Sequence, residues 1–114
     1  LLGYSQAETN IIASIARYHR KNLPKKRHDS WQNLMSKEDK TLVLDMSLIL
    51  RLAACLDQRP ENVISFVEIK LQKNILTFEL VPFNTKNDLL LEKWSLELCR
   101  NAVKELKNLE LKVI

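Results

Sequence analysis

Apolar residues recur at helical spacing through the first half of the chain and at alternate positions through much of the second. Ile11, Ile12, Ile15, Ala16 and His19 follow the helical period. Ser5-Gln6-Ala7-Glu8 in front of them reads as a capping box, in which Ser5 accepts from the Glu8 amide and Glu8 reaches back. The spacing predicts a helix from about Gln6 to Lys21, which Pro24 forbids from continuing. Asp29 or Ser30 can cap a short helix with Trp31, Leu34 and Met35. Ser36 and Asp39 mark another start. From Lys37 to Leu56 the apolar positions include Leu42, Met46, Ile49, Leu50, Ala53 and Leu56, and Val43, Leu44, Leu48, Leu52 and Cys55 widen that face almost all round. A helix this apolar is expected at the centre of a helical layer, ending near Asp57 with Pro60 just beyond.

The period then changes. Val63 to Leu71 and Ile75 to Val81 are rich in β-branched and aromatic residues, with Glu68 and Lys70 interleaved. Lys73-Asn74 between them predicts a tight hairpin without the usual Gly. Asp88 can cap a last helix with Leu91, Trp94, Leu98, Ala102 and Leu106 on one face. Leu109, Leu111 and Val113 alternate with Glu110 and Lys112 and predict a last strand. The expected class is α+β: helices over residues 1–60, then a small β-β-α-β module over 61–114, with its helix covering one face of the sheet.

Charge sharpens this division. Residues 1–60 hold ten Lys/Arg against six Asp/Glu, whereas 61–114 hold eight against eight, so the net +4 belongs to the first half. Its centre is the run from Arg17 to His28, with six Lys/Arg and two His in twelve residues. No Asp or Glu lies between Glu8 and Asp29 to neutralise it. Such a patch concentrates anions and points to phosphate; the plainer alternative is a solvated basic turn. Cys55 and Cys99 form no paired-ligand motif and suggest buried thiols in a reducing, cytoplasmic setting. The sequence contains no apolar run near 18 residues and no signal-peptide pattern. Its start at Leu1, without Met, suggests a piece of something longer.

The candidate chemistry is one of binding. Gly3 is the single glycine, so no Gly-rich loop can bring backbone amides against a triphosphate. No nucleophile elbow or zinc motif is present, and no catalytic residue or metal ligand is assigned. His28-Asp29 has the letters of a His-Asp metal site, but one dipeptide at a helix start does not make a set of convergent ligands. His19 reads either as a packed, satisfied histidine or as an anion contact. Arg51, inside the most apolar helix, has to be paired or to reach the surface.

Three segments together resemble one family. Leu2-Gly3-Tyr4-Ser5 with Glu8, then Ile12 through Lys21 (with Arg17-Tyr18-His19-Arg20 as the specific part) and Pro24, resembles the third domain of the Ppx/GppA phosphatases. These are the exopolyphosphatases and guanosine pentaphosphate phosphohydrolases. Leu50-Arg51-Leu52-Ala53-Ala54-Cys55-Leu56-Asp57 is similar to that family's Leu-Arg-Leu-Ala-Asp-x-Leu-Asp segment, and Leu91-Glu92-Lys93-Trp94 to its late Leu-Glu-x-Trp.

The resemblance implies an HD-like helical segment followed by the β-β-α-β module. It places the catalytic carboxylates, phosphate loops and Mg²⁺ in actin-like N-terminal domains, leaving no cofactor in this part. Ala54 stands where the family pattern has an Asp that would match the last ligand of HD metalloenzymes, which argues against metal catalysis here. The parent enzyme would hydrolyse phosphoanhydride bonds of polyphosphate or pppGpp in a bacterial cytoplasm. This part, not itself catalytic, would hold the polyanion through Arg17, His19, Arg20, Lys21, Lys25, Lys26 and Arg27 and support a homodimer. The rivals are a purely structural or dimerisation module, a nucleic-acid binder and a metal phosphohydrolase of the HD class; only Tyr18 and Trp31 lie near the patch to stack on bases, which counts against the second.

Overall fold

The computed structural model describes residues 3–18 and 36–114. The chain divides into two compact units, 1–51 and 52–114, each described by itself. The described elements are α1 (Gln6–Tyr18), α2 (Lys37–Leu56), β1 (Ile64–Gln72), β2 (Ile75–Pro82), α3 (Leu90–Glu97), α4 (Arg100–Lys107) and β3 (Glu110–Val113). Helices followed by a small sheet make the fold α+β, as expected. The short helix around Trp31 and the far end of the first helix lie outside the described residues.

In the first unit both helix starts are set by side chains. The Glu8 amide donates to Ser5 Oγ at 3.1 Å, and the Ser5 amide donates to Glu8 Oε1 at 3.0 Å. The capping box is therefore formed, and hydrogen bonding from Ser5, first its amide and then its hydroxyl, holds the Glu8 carboxyl below its ordinary value. At the start of α2 the Asp39 amide donates to Ser36 Oγ at 2.9 Å, so the helix begins where the Ser-x-x-Asp pattern puts it.

The core of this unit is small among the described residues. Val43 is fully buried, with Ile11 and Ile15 packed against it. Ser14 and Ser47 are also buried, and neither hydroxyl finds a hydrogen-bond partner among the described residues. The inward stripe of α2 contains Val43, Ser47, Leu48 and, in the second unit, Cys55. Leu42, Met46, Ile49 and Leu50 are exposed, so α2 is not buried all round as its composition suggested. Its apolar residues outnumber the positions that packing uses. Arg51 is half-buried and follows Val43 and Ser47 at four-residue spacing, in line with that stripe.

The second unit is built on a three-stranded sheet in the order β1-β2-β3. β1 and β2 are antiparallel, with Val67 opposite Leu80, Ile69 opposite Phe78 and Leu71 opposite Leu76. A bulge between Ile64 and Phe66 shifts the register at one end. The two-residue loop Lys73-Asn74 closes the hairpin as expected; Lys73 has a φ of 56°, where glycine would usually serve. β3 runs parallel to β2, with Leu76 opposite Leu111 and Phe78 opposite Val113, so the helices between them form the crossover.

Phe78, Leu80 and Leu111 on the sheet join Leu89, Leu96 and Cys99 from the crossover, with Val63 and Cys55 completing the core. Val103 is fully buried as well.

The crossover is two helices, not the single one expected. The Cys99 amide bonds the Leu96 carbonyl at 2.9 Å, three residues back, and this tightened turn ends α3. α4 follows from Arg100 and ends on Asn108, whose left-handed φ of 55° lets its amide cap the Lys104 carbonyl at 2.9 Å. The inward face also differs from expectation. Leu91, Trp94 and Leu98 are exposed, with Trp94 at 61%. The buried stripe contains Leu89, Glu92, Leu96, Cys99 and Val103, which keeps the same period in a different phase.

Candidate polyanion site and the residues around it

Of the candidate anion contacts, Arg17 is described. It is exposed, in the last turn of α1. His19, Arg20, Lys21, Lys25, Lys26 and Arg27 lie outside the described residues, as does His28-Asp29.

No group of three or more His, Cys, Asp or Glu side chains converges among the described residues. Ala54 is exposed, and its carbonyl accepts from Gln58 Nε2 at 3.0 Å. Among the described residues no helix is long and apolar enough to cross a membrane.

The later resemblance motifs meet in the second unit as packing and ion-pair residues. Cys55 Sγ lies 3.4 Å from Cys99 Sγ and 3.3 Å from the Ser95 carbonyl. Both cysteines are buried thiols outside any disulfide, as their lack of ligand spacing suggested. Glu92, from the Leu-Glu-Lys-Trp segment, is fully buried. Arg59 grips it with both faces of the guanidinium fork: Nε to Oε2 at 3.0 Å and Nη2 to Oε1 at 3.1 Å. Nη2 also donates to the Asp88 carbonyl at 3.3 Å and stands 3.7 Å from Asp88 Oδ1. The hydrogen bond to Glu92, followed by its charge and that of Asp88, raises the Arg59 pKa above its ordinary value.

This clamp ties the segment after α2 to the first turn of α3. The sequence reading missed it. Its one visible signal was Glu92 lying between apolar neighbours on a helix whose other face could equally turn inward.

With this geometry in view, the comparisons with known proteins are direct. The family model for Ppx/GppA phosphatase, domain III, matches residues 1–109. The chain belongs to the Ppx/GppA phosphatase family, the exopolyphosphatase-type proteins, and corresponds to their domain III. No curated protein and no solved structure matches.

Proposed function

We propose that this chain is the substrate-holding C-terminal region of an enzyme that hydrolyses phosphoanhydride bonds of polyphosphate or pppGpp. The observation that carries this reading is the acid-free basic run that begins at Arg17, in a member of a phosphatase family. Arg17, His19, Arg20, Lys21, Lys25, Lys26 and Arg27 bind phosphates along the chain. Their role is positioning and uniform binding; bond cleavage, with its Mg²⁺, belongs to actin-like domains outside this chain. A long polyanion held at several points stays concentrated near the site of cleavage. The helical part is read as HD-like, without the HD metal site. The protein works in the cytoplasm as a homodimer, to which this region contributes.

The test is a polyphosphate titration of the chain at two ionic strengths. Binding is expected at low salt and should weaken as the Debye length shrinks from about 10 Å at 0.1 M. Replacing Lys25, Lys26 and Arg27 together by Ala should reduce affinity. Each charge is expected to contribute on the order of 1 kcal/mol or less, the scale of a solvent-screened ion pair. Absence of binding at low salt, or equal affinity in the triple variant, would leave the structural-module reading in its place.

A further inference from the structure

β1 forms one edge of the sheet, with β2 on one side and no strand on the other among the described residues. The direction of its free backbone groups follows from the opposite edge. The Phe78 carbonyl accepts from the Ile114 amide at 2.8 Å, and the Leu80 amide donates to the Ile114 carbonyl at 3.3 Å. The backbone groups of Phe78 and Leu80 therefore face β3. Their opposites on β1, Ile69 and Val67, form non-hydrogen-bonded pairs with them, so the N–H and C=O of Val67, Ile69 and, by alternation, Leu71 point to the open edge.

The side chains of the same residues form an uncovered apolar strip. Val67, Ile69 and Leu71 project to the sheet face that carries Phe78 and Leu80, the face the crossover helices cover. Val67 packs against that core, but Ile69 is 56% exposed and Leu71 is 59% exposed. The cover stops short of Ile69 and Leu71. An edge this long and apolar is a template for another strand.

The sequence of β1 identifies which strand fits. Around Ile69 it reads Val67-Glu68-Ile69-Lys70-Leu71, with opposite charges on either side of the centre and an aliphatic residue beyond each. If a second β1 is laid antiparallel with Ile69 opposite Ile69, Glu68 falls opposite Lys70 and Lys70 opposite Glu68. Val67 falls opposite Leu71 on the apolar face. A two-fold axis of this kind is perpendicular to the sheet, so both apolar strips lie on the same side. Each opposed pair among Val67, Ile69 and Leu71 exchanges its outward N–H···O bonds, and the cross-strand side-chain contacts add to them.

We infer that two copies of this chain associate through their β1 edges, antiparallel and centred on Ile69, joining two three-stranded sheets into one continuous sheet. This rests on the homodimer part of the function proposed above and names its seam; it is independent of polyanion binding.

Sedimentation of the full chain across a concentration series tests it. A reversible dimer is expected. Glu68→Lys should weaken it by about tenfold or more, because two like-charge pairs then face each other across the axis. The same change does not threaten the fold, since Glu68 already faces Glu79 across the hairpin. Adding Lys70→Glu to Glu68→Lys restores the complementarity and should restore the dimer. Ile69→Pro removes an outward donor and should also dissociate it, with circular dichroism confirming the folded state.

A dimer indifferent to Ile69→Pro and Glu68→Lys would overturn the β1 seam while leaving dimerisation standing. Failure of the double swap to restore association would also overturn the seam. A monomer at every concentration would overturn both the seam and the homodimer.

Discussion

The two units of this chain differ in what their buried positions are made of. In 52–114 the buried residues come from β2, β3 and both crossover helices, with Ile64 and Val67 of β1 packed against them, and the one fully buried carboxylate is gripped by a two-pronged arginine. In 1–51 the described core is Val43 with two flanking isoleucines, and two buried hydroxyls stand without a hydrogen-bond partner among the described residues. Charge is divided the other way: the excess of cations lies in the first sixty residues, and the remainder is balanced. The unit with the larger described core is the electrostatically neutral one. The unit that carries the proposed binding charge has the leaner described core. This contrast separates the residues that hold the described fold from those proposed to recruit a ligand.

The largest effect should come from the core of the second unit. Leu96 is fully buried in its main cluster. Leu96→Ala is expected to lower stability by about 2–5 kcal/mol, the range for a buried leucine truncation, measured by denaturant unfolding. A loss below 1 kcal/mol would break the comparison at once.

A smaller but sharp loss is expected for Arg59→Leu, which strands the Glu92 carboxylate in the interior. The thermal midpoint should fall by about 5–10 °C. The double variant Arg59→Leu with Glu92→Leu should recover much of that loss. If the single variant melts like the wild type, the clamp is not holding α3.

In the first unit the expected sign reverses. Ser14→Ala removes an orphan hydroxyl and places the best helix former in α1, so stability should rise by about 1 kcal/mol. A clear loss in the same unfolding assay would show that Ser14 is satisfied and that the unit is better packed than described.

The smallest effect concerns Glu8. Its folded pKa is depressed below the ordinary 4.5, so the capping box contributes fully above that pH. The contribution fades as pH falls through the lowered folded value. Glu8→Gln should flatten this acid-side slope in a pH series of thermal melts; an unchanged slope would assign it to other carboxylates.

These contrasts also show what could be read from the chain. The bounds of α2 were legible because Ser36 and Pro60 bracket it with local chemistry. The hairpin and β3 were legible because alternation fixes a strand whatever packs on it. The phase of the crossover was not. Leu91, Trp94 and Leu98 follow the helical period as well as Leu89, Leu96 and Val103 do, and periodicity alone does not choose between two apolar faces. The choice goes with Glu92, whose burial depends on Arg59, a partner thirty-three positions away. The break at Cys99 was hidden for a related reason, since no Gly or Pro marks it. The family was legible through the Arg-Tyr-His-Arg segment, and it is the family that matches. The proposed polyanion site rests on charge alone, and Arg17 is the one of its residues in the described part.

The most direct test of the central claim is a matched removal of charge. One variant replaces Lys25, Lys26 and Arg27 by Ala; the other replaces Lys73, Lys86 and Lys112, all exposed in the second unit. Both lose the same net charge, so a general attraction to polyanions would weaken equally. Polyphosphate affinity at low salt should fall in the first variant and stay near wild type in the second. Equal losses, or a loss confined to the second, would contradict the assignment of binding to the basic run.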